Sequence, residues 1–246
     1  YWLLFCGAKR RIISKEGREL SVLGGNEWID DISYSPNSPI VLNYLRYANY
    51  LGINPDEIKV TLPPRNQEQI AHVDELLSGL DSEKPLIVIA PATTWKDKHW
   101  NQDNWKKIVE YLKDKCNLVF TGGPNDNELI EYIGGGKFLN LAGKTDIMEL
   151  MEVFSRAKLV MAPDSGSAHL AWATRNPAVI TIFTCTPKEV LAPYGDKSKY
   201  IAPGEYKYPC QPCFKRKCKN KDNPDCCRNT PTVEEVISAI DTLKLF

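Results

Sequence analysis

At 246 residues the chain is long enough to bury a core of its own, as one large domain or two small ones. Its 31 Lys and Arg balance 31 Asp and Glu, so no excess of positive charge marks nucleic acid as the partner. No apolar run reaches the roughly 20 residues that a membrane-crossing helix needs.

The chain opens on Tyr1 rather than Met, which fits a processed or truncated protein, and its basic residues follow the first apolar run instead of preceding it, unlike a secretory signal. Residues 1–62 hold helix-like and strand-like pieces without sustained alternation. Tyr44, Tyr47, Ala48 and Leu51 have helical spacing, and Gly52 is placed to end that helix. The stretch reads as the tail of a domain. Residues 63–84 are polar, begin with a Pro pair and read as an interdomain linker containing one short helix.

From Pro85 the pattern becomes regular, each short apolar run being followed by a turn and a stretch of helical period. LIVIA leads to NWKKIVEYLKD, LVFTG to DNELIEYIG, FLNLAG to DIMELMEVFSRA, LVMA to SAHLAWAT, and VITIFT to PKEVLAPYG. Such alternation predicts an α/β fold with a parallel sheet covered on both faces and ligands bound at the C-terminal ends of its strands. From Thr232 to Phe246 an amphipathic helix is predicted, with Val233, Val236, Ile237, Ile240 and Leu243 on one side.

The unusual polar residues fall at those strand ends. After the first strand come Thr93, Thr94 and Lys98; after the second, a Gly pair with Asp126 and Glu128; after the third, Lys144 and Thr145. After the fourth, Asp164, Ser165 and Gly166 open a helix that carries His169, and unpaired amides at a helix start suit an anion. Hydroxyls, lysines and carboxylates gathered on one sheet edge are the makeup of a nucleotide-sugar or other diphosphate site. Each also has an ordinary reading: Lys98 as a solvated lysine, the Gly pair as a turn, Thr145 as an N-cap, Asp164–Gly166 as a capped turn, and His169 as a core histidine. No GxGxxG follows a strand and no GxxxxGK[ST] occurs, which disfavours dinucleotide oxidoreduction and P-loop hydrolysis.

PATTWKDKHWNQDNW, VFTGGPNDNE, NLAGKTDIMELMEVFSRAKLVMAPDSGSAHLA and APYG resemble the nucleotide-sugar half of the lipopolysaccharide heptosyltransferases, glycosyltransferase family 9, over about residues 85–245. The ATTxxDKHW form is most similar to the heptosyltransferase I branch. The resemblance implies a GT-B architecture, with a Rossmann-like C-terminal domain beside an incomplete N-terminal α/β domain. It implies inverting transfer of heptose from ADP-heptose to the lipopolysaccharide inner core, with no metal required. The acceptor is then a lipid-linked saccharide, met by a cytoplasmic enzyme peripheral to the inner face of the inner membrane.

By the same resemblance, Thr93, Thr94 and Lys98 hold the donor diphosphate, and Lys98 neutralises charge on the departing ADP. Asp126, or Glu128 if the loop aligns two residues later, takes the adenosine ribose. Lys144 and Thr145 lie beside the base, while Asp164, Ser165, Gly166 and His169 contact heptose and phosphates. The implied organisation is a partial acceptor-side domain in 1–62, a linker in 63–84, a nucleotide-sugar domain in 85–230 with a Cys-rich loop at 210–227, and a C-terminal helix in 231–246. The family's general base, an Asp in a Gly-Asp turn early in its N-terminal domain, has no counterpart before residue 90. Asp30 and Asp31 read better as a turn pair than as its substitute. The alternative is therefore a non-catalytic nucleotide-sugar-binding or protein-interaction module.

Eight cysteines are unevenly placed, five of them crowded near the end. Cys210, Cys213 and Cys218, with Cys226 or Cys227, leave three readings open: a structural zinc on Cys210, Cys213, Cys218 and Cys226, disulfides, or free thiols. Lys215, Arg216, Lys217 and Lys219 are expected to lower the thiol pKa values.

Overall fold

The structure, a computed structural model, describes residues 7–14, 25–29, 39–53, 61–193, 199–213, 215, 218 and 220–246. Cys6, Asp30, Asp31, Arg216, Lys217 and Lys219 lie outside the described residues. The chain forms two compact units, Tyr1–Lys59 with Glu189–Gly195, and Val60–Lys188 with Asp196–Phe246.

In the smaller unit, β1 (Ile12–Ser14) pairs in parallel with β2 (Glu27–Ile29), with Ile13 opposite Trp28. Ile13 and Ile29 are buried, and Arg10 closes an ion pair to Glu27 at 2.7 Å. Helix α1 (Ile40–Tyr50) ends as its sequence predicts. Gly52 takes φ +74°, its N–H returns to the Asn49 carbonyl and that of Ile53 to the Ala48 carbonyl, a left-handed cap that glycine enters without steric cost.

The larger unit is built on a six-stranded parallel sheet in the order β5-β4-β3-β6-β7-β8: β3 (Leu86–Ile89), β4 (Asn117–Phe120), β5 (Leu139–Asn140), β6 (Leu159–Pro163), β7 (Ala178–Ile182) and β8 (Tyr200–Ile201). Because side chains alternate across a strand, the apolar runs divide between two faces. Ile87, Ile89, Leu118, Phe120, Leu159, Met161, Ile180 and Ile182 line one face. Val88, Val119, Val160 and Val179 line the other. Helices α3 (Gln102–Leu112) and α4 (Asn127–Gly134), with the terminal α8 (Val233–Thr242), cover the first. Helices α5 (Ile147–Arg156) and α6 (Gly166–Ala173) cover the second. A short α7 (Lys188–Leu191) follows β7. The fold class is the α/β sheet that the alternation predicts.

Residues 63–84, read from sequence as a linker, fold onto this sheet. Helix α2 (Gln67–Leu77) is capped reciprocally by Asn66 and Gln69, and its Val73 is fully buried on the second face. Arg65 and His72 reach Glu152 and Glu149 of α5 at 2.8 and 2.6 Å, and Arg156 of α5 reaches back to Asp74 at 2.6 Å. The polar composition that suggests a connection is the outer side of an amphipathic helix.

Chain order runs outward from β3 through β4 to β5, then returns to β6 on the other side of β3 and continues to β7 and β8. The reversal leaves a crevice between the loops that follow β3 and β6, the place where open α/β sheets take ligands.

Candidate functional site

The two strands flanking the reversal supply the central contact. Beyond β3 the chain makes a 3₁₀ turn at Lys96–Lys98, and β6 delivers Asp164 one residue past its end. Lys98 Nζ lies 2.7 Å from Asp164 Oδ2 and 3.4 Å from the Asp164 carbonyl, and 4.9 Å above the Trp95 ring. Asp164 is buried, and the same Oδ2 accepts the Thr186 hydroxyl at 2.8 Å. A surface ion pair contributes little; an enclosed one with an added hydrogen bond holds both groups in one geometry.

Ser165 occupies the N-cap of α6 in extended backbone, yet its hydroxyl caps nothing, and Oγ is buried without a partner among the described residues. An enclosed hydroxyl left this way costs about 1–3 kcal/mol unless something else binds it. Gly166 is exposed with open space above it, and a Cβ there would meet nothing within 4 Å. His169 is exposed at the rim, but surrounding protein pushes its pKa below the ordinary value. Asp164 pulls that pKa upward and Lys98 downward, so the ring stands within electrostatic reach of the pair.

On the other flank the loops after β4 and β5 are stitched together. Asp126 Oδ2 accepts the Gly123 N–H at 2.7 Å, and a Cβ at Gly122 would come within 2.9 Å of that oxygen. Gly143, at φ +71°, gives its N–H to the Gly122 carbonyl, and a Cβ on it would sit 3.1 Å from Pro124 Cα. Asp126 is therefore already engaged in holding its own loop. Glu128 and Lys144 are exposed, and Thr145 is half-buried. The N-cap of α5 is Asp146, in a reciprocal box with Glu149, so Thr145 does not serve as that cap.

Thr93, half-buried, and Thr94, exposed, lie between the flanks. His99, unremarked in the sequence, donates from Nε2 to the Thr93 carbonyl at 2.7 Å, which shapes that loop. Burial lowers the His99 pKa, the Thr93 carbonyl opposes this, Arg228 lowers it further, and Asp126 acts in the raising direction. The ring is thereby sensitive to the second flank. All four loops come from strands adjacent in the sheet, β5, β4, β3 and β6. They divide into two groups, Lys98 with Asp164 and His169, and Asp126 with Gly143 and Lys144, with Thr93 and His99 between.

The cysteine cluster is a separate compartment. A cavity of about 790 Å³ is lined by Cys185, Cys210, Cys213, Cys218, Cys226, Cys227 and Asp97 among others. All seven described cysteines are free thiols, and no group of three or more His, Cys, Asp or Glu among the described residues is placed to hold a metal ion. Among the described residues, then, Cys210, Cys213, Cys218 and Cys226 are not drawn together around one point, and none of the seven cysteines is in a disulfide. Two of the sulfurs take hydrogen bonds, Cys218 from the Asp225 N–H at 3.3 Å and Cys226 from the Asn220 side chain. Burial pushes Cys226 upward and Cys227 to about 12, against the lowering expected from the basic neighbours. Asp97 is raised by burial and by Asp225, against Arg228 and Lys96, and its Oδ2 has no partner among the described residues.

Thr184, Thr186 and His99 are the contacts that sequence reasoning missed. The usable signal is hydroxyls two apart just past a strand, Thr184 and Thr186, which share a side if the extended course continues.

The sheet order, the doubly covered core and the crevice at the reversal define a doubly wound, Rossmann-like α/β unit of the kind from which GT-B glycosyltransferases are built. The chain belongs to glycosyltransferase family 9 (heptosyltransferase), which it matches over residues 8–223. It is similar to the lipopolysaccharide core heptosyltransferase OpsX of Haemophilus influenzae, 29% identical over 203 residues, 80% of this chain and 54% of that protein. It therefore spans about half the length of that relative. Among solved structures it is similar to the ADP-heptose lipopolysaccharide heptosyltransferase II of Escherichia coli, at TM-score 0.72 and 18% identity over 98% of this chain and 72% of that one. The E. coli heptosyltransferase WaaC with ADP is also similar, at TM-score 0.58 and 20% identity over 91% of this chain and 61% of that one. Among the described residues no helix is long and apolar enough to cross a membrane.

Proposed function

We propose that this chain carries the donor half of a heptosyltransferase and takes ADP-heptose across the ends of β5, β4, β3 and β6. The observation that carries the proposal is the enclosed Lys98–Asp164 pair at the reversal of strand order. At the ~4.8 Å strand spacing, β5 lies about 14 Å from β6. A base and ribose would rest by Lys144, Thr145, Asp126 and Glu128, and the diphosphate by Thr93, Thr94 and Lys98. The sugar would rest by Asp164, Ser165, Gly166 and His169. One Escherichia coli neighbour is an ADP-heptose heptosyltransferase and the other is WaaC with ADP, which supports this choice of donor.

In this reading Lys98 shares its charge between Asp164 and the diphosphate, and neutralises the leaving ADP as the glycosidic bond breaks. Transfer is inverting, onto a lipid-linked saccharide, at the inner face of the inner membrane. The donor unit is the Val60–Lys188 and Asp196–Phe246 body, and the acceptor side includes the smaller unit. Turnover, unlike donor binding alone, also needs a base that takes the acceptor proton.

Calorimetric titration with ADP tests the donor site. Lys98→Ala should weaken binding about 10- to 100-fold, the scale of a hydrogen bond to a charged group. Equal affinity in the variant would remove Lys98 from the site. Transfer of radiolabelled heptose from ADP-heptose then separates the transferase from the binding module.

A further inference from the structure

Asp164 is enclosed, and its Oδ2 carries two partners, Lys98 Nζ at 2.7 Å and Thr186 Oγ1 at 2.8 Å. Thr186, four residues beyond β7, is fully buried. A threonine commonly satisfies its hydroxyl on a nearby carbonyl, as half-buried Thr174 does on Ala171 and buried Thr230 on Cys227. Thr186 instead crosses to the neighbouring strand end and donates to a carboxylate. Its backbone is pinned from behind: the Tyr206 hydroxyl donates to the Thr186 carbonyl at 3.0 Å and accepts the Lys188 N–H at 2.6 Å. Two residues earlier, the Thr184 hydroxyl donates to the carbonyl of Asp97, the residue before Lys98, at 2.8 Å. One stretch thus grips both ends of the ion pair, the backbone carrying the lysine and the carboxylate it meets.

We propose that Thr186 is a positioning residue for the donor cation, a role that rests on the donor-site reading above. It fixes Asp164 so that Lys98 is presented at the crevice. When the diphosphate of an incoming nucleoside diphosphate draws Lys98 away, it keeps the carboxylate hydrogen-bonded. Without that donor, the buried oxygen would be left with no partner as the lysine moved, and nucleotide binding would bear the penalty. Thr186 touches no ligand itself.

The test compares Thr186→Val, which keeps shape and removes the hydroxyl, with Thr186→Ser, which keeps the hydroxyl; Thr186→Ala serves if the valine variant does not fold. Circular dichroism melts establish folding, and calorimetry reads ADP affinity. The Lys98 ammonium is followed by ¹³C NMR after reductive methylation, its signal assigned with Lys98→Ala. Thr186→Val should bind ADP about five- to tenfold more weakly and shift the Lys98 signal, with Thr186→Ser restoring both. A folded hydroxyl-free variant with wild-type affinity and an unmoved Lys98 signal overturns the proposal. So does loss of affinity in both valine and serine variants with the signal unmoved, which marks a purely structural residue. A wild-type chain that binds no ADP refutes the donor reading, and the purpose assigned to Thr186 with it, whatever the lysine signal does.

Discussion

The indole N–H of Trp100 donates to the Pro231 carbonyl at 2.8 Å, so the loop that carries Lys98 is tied to the residue preceding the N-cap of α8. Neighbouring backbone reinforces the tie, with the Asn101 N–H on the Arg228 carbonyl and Arg228 Nε on the His99 carbonyl. Trp100 also meets Trp105 edge-on, with ring centroids 5.1 Å apart. The terminal helix is thereby part of the support for the cleft that holds the Lys98–Asp164 pair. Trp100→Phe keeps most of the ring and leaves that carbonyl without its donor. It should lower unfolding free energy by about 1–3 kcal/mol in urea titrations; an unchanged midpoint and slope would show that the tie contributes nothing.

Gly143 has two separate reasons to be glycine, a left-handed backbone and Pro124 Cα where a Cβ would fall. Gly143→Ala should destabilise the larger unit by about 1–3 kcal/mol from backbone strain alone, with the crowding added. Because the Gly143 N–H holds the Gly122 carbonyl, the loop bearing Asp126 should shift too, visible as amide exchange at Gly122 and Gly123 faster than in wild type.

His72 makes one contribution to stability depend on pH. Its bond to Glu149 raises its pKa above the ordinary imidazole value, partly opposed by burial. A group whose folded pKa is raised contributes fully below its unfolded pKa, about 6.5, and loses that contribution as pH rises through the folded value. Melting temperatures of wild type and His72→Gln should therefore differ more at pH 5.5 than at pH 8.5. A constant difference would show that the Glu149 contact is not charge-dependent.

The thiols should react in order of exposure and acidity. Cys210 is exposed, whereas burial pushes Cys116 and Cys227 to about 12 and Cys185 to about 11. Iodoacetamide at neutral pH, followed by mass spectrometry of peptides, should label Cys210 well before those three. Early labelling of Cys227 would mean that the cavity admits reagent and that its thiol is ionised.

The doubly covered sheet could be read from sequence because its strands are apolar on both faces and its crossover helices have a clear period. Tyr200–Ile201 could not, since a two-residue edge strand has no period to detect. A short helix was legible in 63–84, but the polar outer side of α2 hid its packing onto the sheet, where Val73 is its one fully buried residue. Candidate residues were legible as strand-end polar groups, but their pairing was not. Lys98 and Asp164 are 66 positions apart and meet only because the strand order reverses between them. Thr186 follows an apolar strand in a Thr-Cys-Thr run that reads as more of the same extended backbone.

Asp97 and Lys98 are consecutive residues that serve different compartments, the first lining the thiol cavity and the second paired in the cleft. One trans peptide, about 3.8 Å between Cα atoms, separates them. Reducing agent, alkylation and storage history thus become variables of any nucleotide titration. Preparations that differ only in how their sulfhydryls were handled should not be assumed to return the same affinity.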